Sequence, residues 1–284
     1  MAVTVKISQT SSVSDLCDWI WEVHYTDTRS RDTVRSILKQ IKASIGDVNL
    51  SEVTRDTVRK FMADREGDAP SSLRRKVAVL MKMFNEGFAE GWMDQVRPPP
   101  RPRKQKPNHI CLPVEVESKV VARLSEQGPL YAELAVFLVD TGMRCGEALS
   151  LRWDAIQDDY SAATVVRSKA GGVRRIPMTN RASKLLAKLR NRKGRVGDGP
   201  FRSVIYHSFW QAWRRVRKEL GFDEDRRFTP HALRHTFATR LVQRGVPLEA
   251  VKTLMGHARY DQTLEYAHHA PAQLQDAISV LESG

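Results

Sequence analysis

The chain has 284 residues, 41% of them hydrophobic, and a mean hydropathy of -0.43, the profile of a globular protein with room for two modest cores. Forty-six lysines and arginines against 33 aspartates and glutamates give a formal charge of +13 and a pI near 9.9, an excess that suits a polyanion, most often nucleic acid. Three scattered cysteines, Cys17, Cys111 and Cys145, exclude a disulfide framework and a cysteine zinc spacing, and neither a signal-peptide core nor an apolar run of membrane-spanning length is present, so a cytoplasmic protein with no membrane partner is expected.

The first third reads as helices. Ser11 or Ser12 is placed to cap Val13–Tyr25, with Leu16, Trp19, Ile20 and Val23 on one face. Residues 33–45 repeat the pattern through Val34, Ile37, Leu38, Ile41 and Ile45. Residues 54–64 carry Val58, Phe61 and Met62, and residues 72–90 carry Val77, Leu80, Met81, Phe84 and Phe88. Four or five such helices predict a small all-α bundle over residues 1–95 whose apolar stripes form its core. The basic run Arg74-Arg75-Lys76 reads either as a DNA-facing surface or as a solvated helix end.

The sharpest change of composition follows. Prolines at 98, 99, 100, 102 and 107 exclude helix, and Arg101, Arg103 and Lys104 make residues 96–109 a basic, semi-rigid spacer that reads as a strap along phosphates or as a plain solvated linker. From residue 110 the pattern becomes α+β with a helical majority. Helices are predicted over 112–126 and 131–141. Two β-type runs, Thr164–Arg167 and Arg174–Met178, flank a turn at Lys169-Ala-Gly-Gly172 and predict a small antiparallel sheet. From Asn180 onward helices resume, broken near 194–200 and 221–225, and a short helix is predicted over 271–282.

Five clusters carry polar chemistry in this second lobe. In Thr141-Gly-Met-Arg-Cys-Gly-Glu147, Gly142 ends a helix and Arg144 opens the next turn, with Glu147 placed to cap it or pair with Arg144. Lys169 lies in the hairpin turn, with Arg174 and Arg175 nearby as competitors for its role. Thr229-Pro230 reads as a helix start, Thr229 capping, so that His231 and Arg234 share one face near the positive helix end, a good site for a phosphate. Gly256 ends a helix and releases His257 into a turn. Tyr266 follows on a stretch that reads as amphipathic helix, where by default it is a core residue with a bonded hydroxyl.

In order and spacing, Arg144, Lys169, His231-x-x-Arg234, Gly256-His257 and Tyr266 resemble the tyrosine recombinase (phage integrase) family. The segments 141–153 and 231–239 are similar to its two signature boxes, and the resemblance covers roughly residues 110–284. It implies that the first lobe is a core-DNA-binding domain and that 110–284 is the catalytic domain. It also implies a 3′-phosphotyrosyl intermediate and a homotetramer on double-stranded DNA, with the C-terminal helix either passed to a neighbouring subunit or packed on its own domain. The two lobes are expected to close on a duplex as a clamp, without a separate arm-binding domain, and with accessory directionality or host DNA-bending proteins as further partners.

The chemistry can be argued without the family. Breaking a phosphodiester without a metal needs a nucleophile, a proton donor for the leaving oxygen and cations around the phosphorane. Tyr266 offers the nucleophile and Arg144 and Arg234 planar forks for phosphate oxygens, while Lys169 suits the proton donor. His231 and His257 can donate to the phosphate, and one of them can move the tyrosine proton. His231 and His235 are four apart but lack the His-Glu-x-x-His pattern, and there is no Walker or dinucleotide glycine motif, so neither metal nor cofactor is expected. A type IB topoisomerase-like relaxase and a non-catalytic DNA-binding protein of the same fold stand as alternatives to a recombinase.

Overall fold

The first helix begins at a cap that the sequence supplies. In the computed structural model, which describes residues 6–26, 28, 30–100, 109–166, 172–192 and 197–269, the Ser12 hydroxyl accepts from the amide of Asp15 and the Asp15 carboxylate accepts from the amide of Ser12. This starts α1 (Val13–His24), followed by α2 (Arg31–Ile45), α3 (Arg55–Ala63, capped by Thr54) and α4 (Pro70–Ala89, with proline in its first turn). Residues 1–106 form one unit and residues 107–284 a second.

The core of the first unit is built from the apolar stripes, with Leu16, Ile20, Ile41, Ile45, Phe61, Leu80 and Phe84 all buried. Each such side chain contributes about 1.5–3 kcal/mol on burial. Two residues assigned to those stripes are not core. Val23 and Phe88 are exposed, because each lies in the last turn of its helix, beyond the surface its neighbours cover. Val96, assigned to the spacer, is buried in this core, so the packed unit runs past residue 95.

The second unit contains α5 (Val114–Gln127), α6 (Pro129–Thr141), α7 (Cys145–Ser150), β1 (Ala162–Val166), β2 (Val173–Pro177), α8 (Asn180–Arg190), α9 (Tyr206–Glu219), α10 (His231–Gln243), α11 (Leu248–Met255) and the short α12 (Asp261–Leu264). The strands pair antiparallel in the register Val165 opposite Arg174 and Ala163 opposite Ile176. Strand alternation buries Arg174 and Ile176 on one face and leaves Val173 and Arg175 exposed. Helix α6 is buried on nearly every side, and its contacts with α5, α8 and α10 make it the hub of this core. Trp213 is fully buried at its edge, and its indole N–H is satisfied by the Phe228 carbonyl at 3.0 Å.

Two expectations differ in detail. Helix α10 starts at His231 with no side-chain cap; the Thr229 carbonyl, not its hydroxyl, takes the amide of Ala232. Tyr266 is not on an amphipathic helix: α12 ends at Leu264, and Tyr266 sits in the turn that follows, before a 3-10 turn over Ala267–His269. Among the described residues no helix is long and apolar enough to cross a membrane.

Candidate active site

Two chain reversals converge on α10. Helix α6 ends at Gly142 and α11 at Gly256, both left-handed at φ 63°, a conformation only glycine adopts freely. Arg234, in the first turn of α10 and only 2% exposed, binds both ends: one guanidinium nitrogen donates to the Gly142 carbonyl and the other to the Met255 carbonyl. One side chain thus fixes the turn that leads into Arg144 and the turn that leads into His257. Burial, and then the charge of Arg144, pull the Arg234 guanidinium down to about 9.

Arg144 stands at the start of α7. Its amide donates to Glu147 Oε2 at 2.8 Å and its Nη1 to Glu147 Oε1 at 3.0 Å. The side chain is 43% exposed. Glu147 is shared. From the buried face of β2, Arg174 donates Nη1 to Oε1 at 3.1 Å and Nη2 to Oε2 at 2.6 Å. Burial works against the carboxylate's charge, but the hydrogen bonds and charges of Arg174 and Arg144 outweigh it and hold the group at about 2. The Arg174 guanidinium also fills the hollow at Gly256, where a Cβ would come within 2.7 Å of Nη1.

His231 opens α10 at the surface beside these cations. The protein around it, and then the charges of Arg234 and Arg144, lower its pKa from the ordinary imidazole value. One turn on, the ring of His235 lies edge-on to it, with centroids 4.6 Å apart. His257 places Nδ1 2.8 Å from the Thr263 hydroxyl and its ring nearly parallel to Tyr266 at 6.4 Å. Tyr266 is 2% exposed and packs with Ala238, Val242, Val251 and Met255. Its hydroxyl is 2.5 Å from His235 Nδ1. Burial raises the phenol to about 12, against the opposing pull of Arg234.

The structure therefore brings Arg144, Glu147, His231, Arg234, His257 and Tyr266 into one site of the second unit. Lys169, Arg101, Arg103 and Lys104 lie outside the described residues, as does the helix expected over 271–282. Of the basic run on α4, Arg75 is exposed, whereas Lys76 is largely covered and paired with Asp68 at 2.7 Å. Sequence reasoning missed three residues. Arg174 entered only as a competitor for the role of Lys169, although strand alternation with Ile176 would have turned it inward. His235 was weighed only as half of a metal pair, although it shares the face of His231. His109, stacked on His235 with centroids 3.6 Å apart, had no signal in its surroundings.

A buried phenol beside Arg144, Arg234, His231, His235 and His257 is a set of groups suited to attack on a phosphodiester. The model of the phage integrase family matches residues 121–273, more than half of the chain, and the chain belongs to that family. It is 29% identical to the integrase of Escherichia phage P2 over 81% of this chain and 65% of that one. It is 31% identical to the tyrosine recombinase XerC of Erythrobacter litoralis over 72% of this chain and 71% of that one. Its fold matches a lambda integrase tetramer bound to a Holliday junction with a TM-score of 0.74, at 20% identity over 88% of this chain and 79% of that one. These relatives favour recombination over the relaxase and non-catalytic alternatives.

Proposed function

We propose that this chain cleaves and rejoins double-stranded DNA at specific sites, with Tyr266 as the nucleophile that becomes joined to a 3′ phosphate. The observation that carries this reading is the seat of the Tyr266 hydroxyl against α10, the helix whose first turn presents His231 and Arg234. Attack by the phenol oxygen forms the phosphotyrosyl bond and releases a 5′ oxygen. A 5′ hydroxyl of a second strand then attacks the same phosphorus and displaces the tyrosine, so that no external energy source is needed. Arg144 and Arg234 balance the charge that develops on the phosphorane, a contribution of about 3–4 kcal/mol for each such donor in other enzymes. His231 and His257 donate to the non-bridging oxygens, and Glu147 holds Arg144 in place.

Lys169 is proposed as the acid that protonates the leaving oxygen. Arg74, Arg75, Lys76, Arg101, Arg103 and Lys104 are proposed to lie on phosphates, with residues 1–95 as the core-binding domain, 96–109 as the basic linker and 110–284 as the catalytic domain. Covering of Lys76 by Asp68 makes it the weakest of these contacts. The proposed working form is a homotetramer on DNA in the cytoplasm, assisted by directionality or DNA-bending proteins.

A duplex nicked just 3′ of the cleavage site tests this, because the short released strand diffuses away and traps the covalent adduct. The wild-type chain is expected to leave a protein-linked 3′ end and a free 5′ hydroxyl. Tyr266→Phe is expected to bind the same duplex and form no adduct. An adduct formed by that variant would move the nucleophile elsewhere, to Tyr260 in the first instance. Reciprocal products from two marked sites separate recombination from simple relaxation.

A further inference from the structure

In the described structure, the Tyr266 hydroxyl is in hydrogen-bond contact with His235. Its oxygen is 2.5 Å from His235 Nδ1, and His235 is itself held from the other side. The ring of His109 stacks on it at 3.6 Å and 20°. His109 Nε2 in turn meets Glu265 Oε2 at 2.7 Å. A carboxylate only accepts, so this bond fixes the proton of His109 on Nε2 and ties its ring to the residue next to the nucleophile. A phenol is a stronger acid than a neutral imidazole N–H, so the hydroxyl donates and Nδ1 accepts. We propose that His235 is a catalytic residue, the acceptor of the Tyr266 proton, held in place by His109 and Glu265.

This rests on Tyr266 being the nucleophile. In the forward step the Tyr266 O–H bond breaks and its proton moves to His235 Nδ1. The phenol oxygen bonds to phosphorus, and the bond from phosphorus to the 5′ oxygen breaks, its electron pair leaving with that oxygen, which takes a proton from the acid of the proposed mechanism. In the rejoining step the imidazolium returns its proton to the departing phenol oxygen. Burial, followed by the charges of His109 and His231, lowers His235 to about 2, and burial raises Tyr266 to about 12. The proton therefore stays on the phenol until a phosphorus atom draws on the oxygen. As that bond forms the phenol becomes strongly acidic, and the negative charge of the phosphate now beside His235 favours its protonated form, so the imidazole in contact takes the proton and keeps it for the rejoining step. The resting site holds a neutral nucleophile without ionising it in the absence of DNA.

Single-turnover adduct formation on the nicked duplex tests the assignment, once Tyr266→Phe has been found inert on that duplex; an active Tyr266→Phe would remove the proposed function itself. His235→Asn keeps an acceptor near the position of Nδ1 but no base. It is expected to keep its melting temperature and its affinity for the nicked duplex within about twofold, and to form adduct at least about 100-fold more slowly, the scale of a lost proton acceptor. His235→Ala is expected to lose as much and to recover part of its rate when imidazole is added, more with the more basic methylimidazoles. His109→Ala, which removes the stack and the bond to Glu265 but leaves His235 and the Tyr266 hydroxyl, is expected to give a smaller loss. Adduct formation by folded His235→Asn at close to the wild-type rate would overturn the proposal, because the contact would then only position the hydroxyl. A slow His235→Ala that binds duplex normally and gains nothing from any imidazole would overturn it too.

Discussion

Arg174 and Glu147 form a two-armed pair, each carboxylate oxygen taking one guanidinium nitrogen, at 3.1 and 2.6 Å. The same two oxygens also take the amide and Nη1 of Arg144. By occupying one position on each oxygen, Arg174 limits Arg144 to a single side-chain bond and leaves the rest of that guanidinium for a phosphate. Arg174→Met should allow Arg144 to fold fully onto Glu147. The expected result is cleavage slowed about tenfold or more and a stability loss of about 3–5 kcal/mol, the scale of a broken buried ion pair. Thermal melting and single-turnover cleavage read the two effects separately; a lowered melting temperature with unchanged cleavage would leave Arg174 a brace and nothing more.

Gly256 receives the same guanidinium. Its φ of 63° disfavours any side chain, and a Cβ would lie 2.7 Å from Arg174 Nη1. Gly256→Ala should cost about 1–2 kcal/mol from the left-handed backbone alone, with more from displacement of Arg174. Because His257 follows directly, cleavage should fall together with the melting temperature. Gly221 is also left-handed, at φ 75°, but its Cβ would meet nothing within 4 Å. Gly221→Ala should therefore destabilise the chain by the backbone strain only and leave the cleavage rate of the folded protein unchanged.

Residues that repeat at helix or strand spacing were legible in the sequence. The stripes of α1 to α4 and the hairpin declared themselves through periodicity, and Gly142 and Gly256 marked the reversals because few other residues end a helix that way. What periodicity does not carry is which long side chain crosses between elements. Arg234 reaches carbonyls 92 and 21 residues away in sequence, and Arg174 reaches Glu147 across 27. Such contacts are properties of the packed unit. Tyr266 was legible as a buried aromatic with a bonded hydroxyl, but not its partner His235, because four-residue spacing on a helix reads equally as a metal pair, a phosphate face or packing. Val23 and Phe88 failed for the opposite reason: they fit the helical period, yet the core ends before they do.

Arg234 combines a buried charge with two carbonyl partners, so its conservative replacement is informative. Arg234→Lys keeps the charge but cannot reach the Gly142 and Met255 carbonyls in the same forked geometry. One carbonyl left buried without a partner costs about 1–3 kcal/mol. Cleavage should fall on the order of 100- to 1,000-fold, as for other lost oxyanion donors. Arg144→Ala should match that loss of rate with little loss of stability, since its side chain is 43% exposed. Melting curves and adduct rates of the two variants, compared side by side, check the contrast; equal destabilisation by both would contradict the tie that Arg234 makes between the two turns.

The depressed imidazole of His235 also sets a pH dependence. In the folded chain it lies at about 2, against 6.5 for an ordinary histidine, so between these values the unfolded chain binds the proton and the folded chain does not. Its contribution to stability is complete above pH 6.5 and is lost progressively as the pH falls from there towards 2. Glu147 acts in the same direction over a lower range, from 4.5 down to about 2. The melting temperature of the wild-type chain should therefore decline from neutral pH to pH 5, before any carboxylate titration matters. His235→Asn, which has nothing to protonate at that position, should show a shallower decline from about pH 6.5 downwards, and the difference in slope should persist below pH 4.5, where carboxylate titration steepens both curves. Parallel curves for the two proteins between pH 7 and pH 5 would mean that His235 takes up a proton as readily in the folded chain as in the unfolded one, and that the imidazole beside Tyr266 is not held neutral.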